Sequence, residues 1–280
     1  MPDRADPTAL TEATIDALAR GFRLPESSPA ARRLLRPLSR RFARRIGRFD
    51  DLVAVDGLAA GARTQIPTFV RSLTTVGRDL IPPSGPVLAV ANHPGVIDGL
   101  ALAVALEART DLRVLALDRA FLQAMPGLSS RLLLLRPGDG FDALRRAAEH
   151  LRTGGTLLTF PAGTIEPDPV VADGAVAALD DWARSADVLA RRVPGVRLVP
   201  LAIGGVLSAA ALRTGFVRRA PTRADREWRA TTLQVLSRHY READVRILVG
   251  EPFEPGTEPT AELIVRMRTL LGDLAAASGR

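Results

Sequence analysis

The chain has three histidines, and one of them, His93, stands where it could do chemistry. Residues 88–99 read LAVANHPGVIDG. An apolar run ends abruptly in Asn92 and His93, and Asp98 follows five residues after the histidine. A carboxylate that returns to one imidazole nitrogen fixes the tautomer and raises the basicity of the other nitrogen. Such a pair suits removal of a proton from a hydroxyl, and it needs no protein nucleophile if the hydroxyl belongs to the substrate. Two other readings compete: a satisfied structural histidine and a metal ligand. A metal site needs more ligands, and His150 and His239 sit in helical contexts without ligand spacing, so zinc is not expected. No Gly-x-Ser-x-Gly elbow occurs, which argues against a serine hydrolase.

The surrounding pattern must place these residues. From about residue 84 short apolar strands alternate with helices: PVLAVAN, DLRVLAL, RLLLLRP, TLLTFPAG, VRLVPLAIGG and DVRILVGEPF. That alternation predicts an α/β domain with a mostly parallel central sheet flanked by helices. Gly95 allows a tight turn after the strand, and a helix is expected over 95–107 with Asp98 near its first turn. In such sheets polar residues just past strand ends lie on the ligand-binding rim. Three strand ends carry them: Asn92-His93, Arg136 and the run FPAGTIEPDP at 160–169. Helices are also expected over 8–22, 30–48, 64–73 and 259–277. In the second of these Leu34, Leu38, Phe42 and Ile46 form an apolar stripe among arginines, and Pro37 is expected to kink or split it. IPPSGP at 81–86 marks a boundary between an N-terminal helical region, 1–80, and the α/β domain, 81–280.

Composition narrows the chemistry. Cysteine is absent, which excludes thiolate catalysis, disulfides and cysteine-based zinc sites. Lysine is absent as well, so Schiff-base and P-loop chemistry are excluded and all of the +7 net charge rests on arginine. Arginine favours forked contacts with phosphate and carboxylate. Aromatic residues make up only 4 %, too few for stacking platforms on single-stranded nucleic acid, and no nucleic-acid motif occurs. The stretch Gly138-Asp139-Gly140-Phe141-Asp142-Ala143 fits a dinucleotide fingerprint by spacing, but the next strand ends in Phe160-Pro161 with no ribose-binding acid. The N-terminus lacks the basic and apolar runs of a signal peptide, and no segment is apolar for long enough to span a bilayer, so the cytoplasm is the expected compartment.

His93, four residues and Asp98 within NHPGVID resemble the first block of the glycerolipid acyltransferases, the lysophosphatidic-acid acyltransferase superfamily. Further matches follow in the family's order. Arg136 takes the position of a strand-end arginine that contacts the acceptor's phosphate. Phe160, Pro161, Gly163 and Thr164 match the block Phe-Pro-Glu-Gly-Thr-Arg, while Ala162 and Ile165 replace its glutamate and arginine. The strand 196–205 matches the family's fourth block. The resemblance covers roughly 80–250.

It implies transfer of a fatty acyl group from acyl-coenzyme A or acyl carrier protein to a lysolipid hydroxyl such as that of 1-acylglycerol-3-phosphate. His93 acts as general base and Asp98 orients it. Asn92, Arg136, Phe160, Pro161, Gly163, Thr164 and Glu166 bind substrate, with Glu166 taking part of the missing acid's role and N–H groups near Gly163 and Thr164 facing the oxyanion. No cofactor and no metal are implied beyond the thioester co-substrate. The arginine-rich stretch 32–48 suits an anionic leaflet, which would make the protein peripheral on the inner face of the membrane. The cluster Arg213, Arg218, Arg219 and Arg223 suits phosphates of the donor, an acidic carrier or headgroups. Loss of the block's glutamate and arginine motivates the alternative of a non-catalytic lipid-binding or scaffold protein on the same fold.

Overall fold

A computed structural model describes residues 5–22, 24–25, 28–136 and 138–278. The chain opens with three helices, α1 (Pro7–Phe22), α2 (Pro29–Asp56) and α3 (Leu58–Gln65). The strands are β1 (Ser72–Val76), β2 (Val87–Ala91), β3 (Arg113–Leu117), β4 (Leu132–Leu135), β5 (Thr156–Thr159), β6 (Arg197–Gly204) and β7 (Asp244–Val249). Between them lie α4 (Asp98–Ala105), α5 (Ala120–Gln123), α6 (Pro126–Ser129), α7 (Gly140–Arg152), α8 (Ser185–Arg192), α9 (Ala209–Arg213), α10 (Gly215–Arg218) and α11 (Arg223–Leu236), and α12 (Pro259–Ala276) follows β7.

The seven strands form one sheet in the order β1-β7-β6-β2-β5-β3-β4. Every pairing is parallel except β6 with β7. β2 lies between β5 and β6, and all five of its residues, VLAVA, are buried. A strand covered on both faces must be apolar throughout, and this one is. One face of the sheet packs on α3 and α4 through Ala62, Leu102 and Leu106, the other on α7, α8 and α12 through Leu151, Leu189 and Leu271.

Residues 64–73, expected to be helical, divide among the end of α3, a single 3₁₀ turn and the start of β1. The sheet therefore begins at Ser72, before the boundary expected near 81. β1 buries none of its residues fully and alternates between exposed and half-buried positions. It pairs only with β7, far along the chain, so its local signal was weak.

α2 is one helix through Pro37. Ser28 caps it by accepting the Ala31 N–H at 3.3 Å, and Pro29 stands at its first position, where a missing N–H costs nothing. Pro37 is exposed, and the buried seam continues past it through Leu35, Ala43, Ile46, Phe49 and Val53. Of the expected Leu34/Leu38/Phe42/Ile46 stripe, Ile46 lies in this seam and Phe42 is half-buried against the core, but Leu34 faces outward with 77 % of its surface exposed. Asp50 fixes α2 to the α/β core. Its carboxylate accepts the N–H groups of Gly127 at 3.1 Å and Leu128 at 2.7 Å. Gly127 has no room for a side chain there, because a Cβ would lie 2.4 Å from the Asp50 carbonyl oxygen.

Candidate active site

β2 ends at Ala91, and His93 lies two residues past it, on the rim at the middle of the sheet. Asn92 is buried, and its amide is committed to the fold. It donates to the Ile203 carbonyl and accepts the Ile203 N–H, both at 2.9 Å. It ties the end of β2 to β6 and offers nothing to a substrate, contrary to the binding role expected of it.

The chain bends over 94–97 before α4 begins at Asp98, so the helix starts later than the expected residue 95. Gly95 is not needed for a left-handed backbone, since its φ is not positive. It is needed for space: a Cβ would meet Val206 at 3.1 Å. Its N–H donates to Asp98 Oδ2 at 3.0 Å, and the Gly99 N–H donates to Oδ1 at 2.6 Å. Asp98 also stands in the first turn of α4, where the helix favours a negative charge. Held in this way, Asp98 Oδ2 lies 2.6 Å from His93 Nδ1. The Nδ1 proton is thereby assigned, and Nε2 is the nitrogen left for exchange. The His93 side chain is 27 % exposed.

Burial works to lower the His93 pKa. The hydrogen bond to Asp98, the Asp98 charge and the Glu166 charge outweigh it and hold the imidazole above its ordinary value. Phe160, past the end of neighbouring β5, lies against the ring at 4.6 Å between centroids, with 30° between the planes.

The run after β5 does more than turn. The Glu166 N–H donates to the His93 carbonyl and the His93 N–H donates to Glu166 Oε2, both at 2.7 Å. Glu166 Oε1 accepts the Trp182 indole N–H at 2.8 Å. Only 2 % of Glu166 is exposed, so its carboxylate serves the protein and not the acceptor expected from the sequence. Burial pushes its pKa up against those donors and the His93 charge.

Asp168 is buried completely and accepts four backbone N–H groups. Val170 and Gly205 reach Oδ1 at 2.9 and 2.8 Å; Val206 and Leu207 reach Oδ2 at 2.7 and 3.1 Å. It fastens the loop after β5 to the turn after β6, the turn whose Val206 packs on Gly95. Gly205 must be glycine, with φ +73° and the Asp244 carbonyl 2.3 Å from where a Cβ would stand. The sequence placed the run 160–169 on the rim but did not single out Asp168, whose partners lie on a distant turn. Trp182 was missed too, because its role appears only through contact with Glu166.

Pro161 is buried, and Gly163 and Thr164 are exposed on the rim. The Gly163 N–H donates to the Phe160 carbonyl at 3.1 Å and is not open to an oxyanion. The Thr164 N–H has no hydrogen bond among the described residues and remains the candidate donor. Arg136 stands past β4, at the sheet edge and three strands from β2. At roughly 4.8 Å per strand that is about 14 Å to the side. Its side chain is 69 % exposed and pairs with Asp118 at 3.0 Å, so the structure does not bring it to His93. Arg223, from α11, donates to the carbonyl of Ile165, the residue that replaces the block's arginine, at 2.8 Å.

A cavity of about 770 Å³ opens beside the His93 loop. Val96 lines one side, and Leu18, Leu38, Phe42, Phe121 and Val235 line the others. Arg119 also lines it and makes no ion pair among the described residues. Among the described residues no group of three His, Asp or Glu is arranged to hold a metal ion, and no helix is long and apolar enough to cross a membrane.

The chain is an α/β protein whose doubly covered, mostly parallel sheet carries a His–Asp pair just past the end of its central strand. Residues 72–204 match the family model described as Acyltransferase, a span that contains the His93–Asp98 pair, Arg136 and the Phe160–Glu166 run. No curated protein matches the chain. Among solved structures it is similar to the 1-acyl-sn-glycerophosphate (LPA) acyltransferase PlsC from Thermotoga maritima, at a TM-score of 0.50 and 18 % identity, over 96 % of this chain and 98 % of that one. At that identity the likeness establishes a shared fold. Residues 72–204 thus resemble the Acyltransferase family, and the chain shares its fold with that enzyme.

Proposed function

We propose that the chain transfers a fatty acyl group from an acyl thioester, on coenzyme A or acyl carrier protein, to the hydroxyl of a lysolipid such as 1-acylglycerol-3-phosphate, in phospholipid synthesis. The observation that carries this reading is the His93–Asp98 pair, with Nδ1 held at 2.6 Å and Nε2 left for a proton. In the reaction Nε2 takes the hydroxyl proton as the substrate oxygen attacks the thioester carbonyl. Asp98 supports the imidazolium that forms. The tetrahedral adduct places its negative oxygen toward the Thr164 N–H. Collapse breaks the carbon–sulfur bond, and the thiolate takes the proton back from His93. Ester and thiol leave, and the base is regenerated with no cofactor and no metal.

The mostly apolar cavity that Val96 helps to line suits a fatty chain, and Arg119, which shares its lining with Glu12, Asp16 and Arg20, suits an anionic headgroup. Arg33, Arg40, Arg41, Arg44 and Arg48 on the outer side of α2, with Leu34 exposed among them, suit the anionic inner face of a membrane, where the acceptor resides. The test is a panel of lysolipid acceptors with one labelled acyl-coenzyme A, read by mass spectrometry. The wild-type chain esterifies at least one acceptor, and His93→Ala lowers the rate about 10²- to 10⁴-fold with its fold intact by circular dichroism. Turnover of His93→Ala near the wild-type rate overturns the assignment. Lipid binding without thiol release from any donor favours the non-catalytic alternative.

A further inference from the structure

Glu166 is the one buried carboxylate beside His93 that the acyl-transfer steps leave without a task. Its surroundings are specific. The residue meets His93 twice through the backbone, once as donor and once as acceptor, each at 2.7 Å. The acceptor in the second contact is its own side chain, so one residue fixes both backbone polar groups of the histidine. Its other oxygen is fixed in turn by the Trp182 indole at 2.8 Å. Trp182 is 5 % exposed and belongs to the apolar cluster on the far face of the sheet, with Leu179 and Leu189. Both carboxylate oxygens accept from N–H donors, which is the pattern of the ionised form; a carboxylic acid would need an acceptor for its own proton. Asp98 meets the same histidine from α4. Two carboxylates therefore hold His93, one bonded to its ring and one bonded to its backbone.

We propose that Glu166 is the positioning residue of the His93 base: it clamps the histidine backbone to the loop after β5, relays the rigidity of Trp182 to it, and with Asp98 supports the imidazolium that forms in acyl transfer. The role in turnover rests on the acyltransferase reading, but the clamp and its charge act on His93 in the resting protein. That separates the two claims. Asp98 and Glu166 are the ionisable groups that face His93, and His93 and Asp98 are those that face Glu166. A negative charge near an imidazole favours its protonated form, so removal of the Glu166 charge makes His93 easier to deprotonate.

The experiment replaces Glu166→Gln and follows the His93 ring by NMR titration, beside kcat and KM across pH. The amide keeps the shape, loses the charge and can accept at one atom only. The His93 titration moves to lower pH. The acidic limb of kcat/KM moves with it, kcat falls about tenfold or more, and KM for both substrates stays within about twofold. An unmoved His93 titration in a folded Glu166→Gln protein overturns the proposal, as does a rise in KM with kcat unchanged, which would return Glu166 to substrate binding. A shifted His93 titration in a protein that transfers no acyl group supports the clamp and counts against the acyltransferase reading instead. If Glu166→Gln does not fold, Asp98→Asn answers the question. In that variant the His93 ring still senses a second, acidic titration, that of Glu166; a single inflection overturns the proposal.

Discussion

At the scale of the residue, the site sets one histidine against opposing forces whose order can be worked out. Burial penalises the charged imidazole, while Asp98 and Glu166 favour it and prevail. A general base must be unprotonated to work, so with His93 as the proposed base the acidic limb of kcat/KM is expected above the ordinary histidine value of 6.5. In Asp98→Asn, with the largest favourable partner neutralised, that limb moves to lower pH while kcat falls; a limb that stays in place would show that another group titrates. His93 and Asp98 were legible in the sequence because their partnership is local, a turn and the start of one helix. Asn92 was misjudged for the opposite reason: its partner is Ile203, on a strand adjacent only in space. Glu166 was found but given the wrong neighbour, since no spacing rule connects it to Trp182. The same holds for Gly163, whose N–H is spent within its own turn on Phe160.

At the scale of the element, two loops built on buried carboxylates hold the rim in shape. Asp168 joins the loop after β5 to the turn after β6 through three N–H groups of that turn, accepts a fourth from its own loop, and burial pushes its pKa up against them. Replacing it by alanine leaves those donors without an acceptor in a dry place. Asp168→Ala is expected to lose about 3 kcal/mol or more of stability, measured by urea unfolding, and to lose activity with it because the turn at Val206 abuts Gly95. A loss below about 1 kcal/mol would mean that water replaces the carboxylate. Six of the seven strands could be read from their apolar runs. β1 could not, because an edge strand with one partner and a wet face keeps only a weak period-two pattern. α2 illustrates a different failure. Its four-residue spacing was visible, but spacing does not say which side of a helix meets the core. Packing against α1, α3 and α6 selected the neighbouring seam and turned Leu34 out.

At the scale of the whole molecule, the N-terminal helices are fastened to the core by Asp50 and carry arginines on their outer side. Charge on a surface of this kind would attract anionic lipid, and salt would weaken that attraction. Vesicles with anionic lipid should therefore pellet the protein at low salt and release it at high salt, and the triple variant Arg40→Gln, Arg41→Gln, Arg44→Gln should bind less. Equal pelleting on neutral vesicles would remove the membrane role of α2. The strand order has a further effect, on time. The dyad lies early in the chain, yet Asn92 depends on Ile203 and Asp168 on Gly205, Val206 and Leu207. A nascent chain emerging from the ribosome thus carries both side chains of the pair long before it has the seat that aims them. Until the strand after residue 196 has been synthesised and slotted beside β2, the histidine and the aspartate are neighbours in a chain but not yet partners in a site.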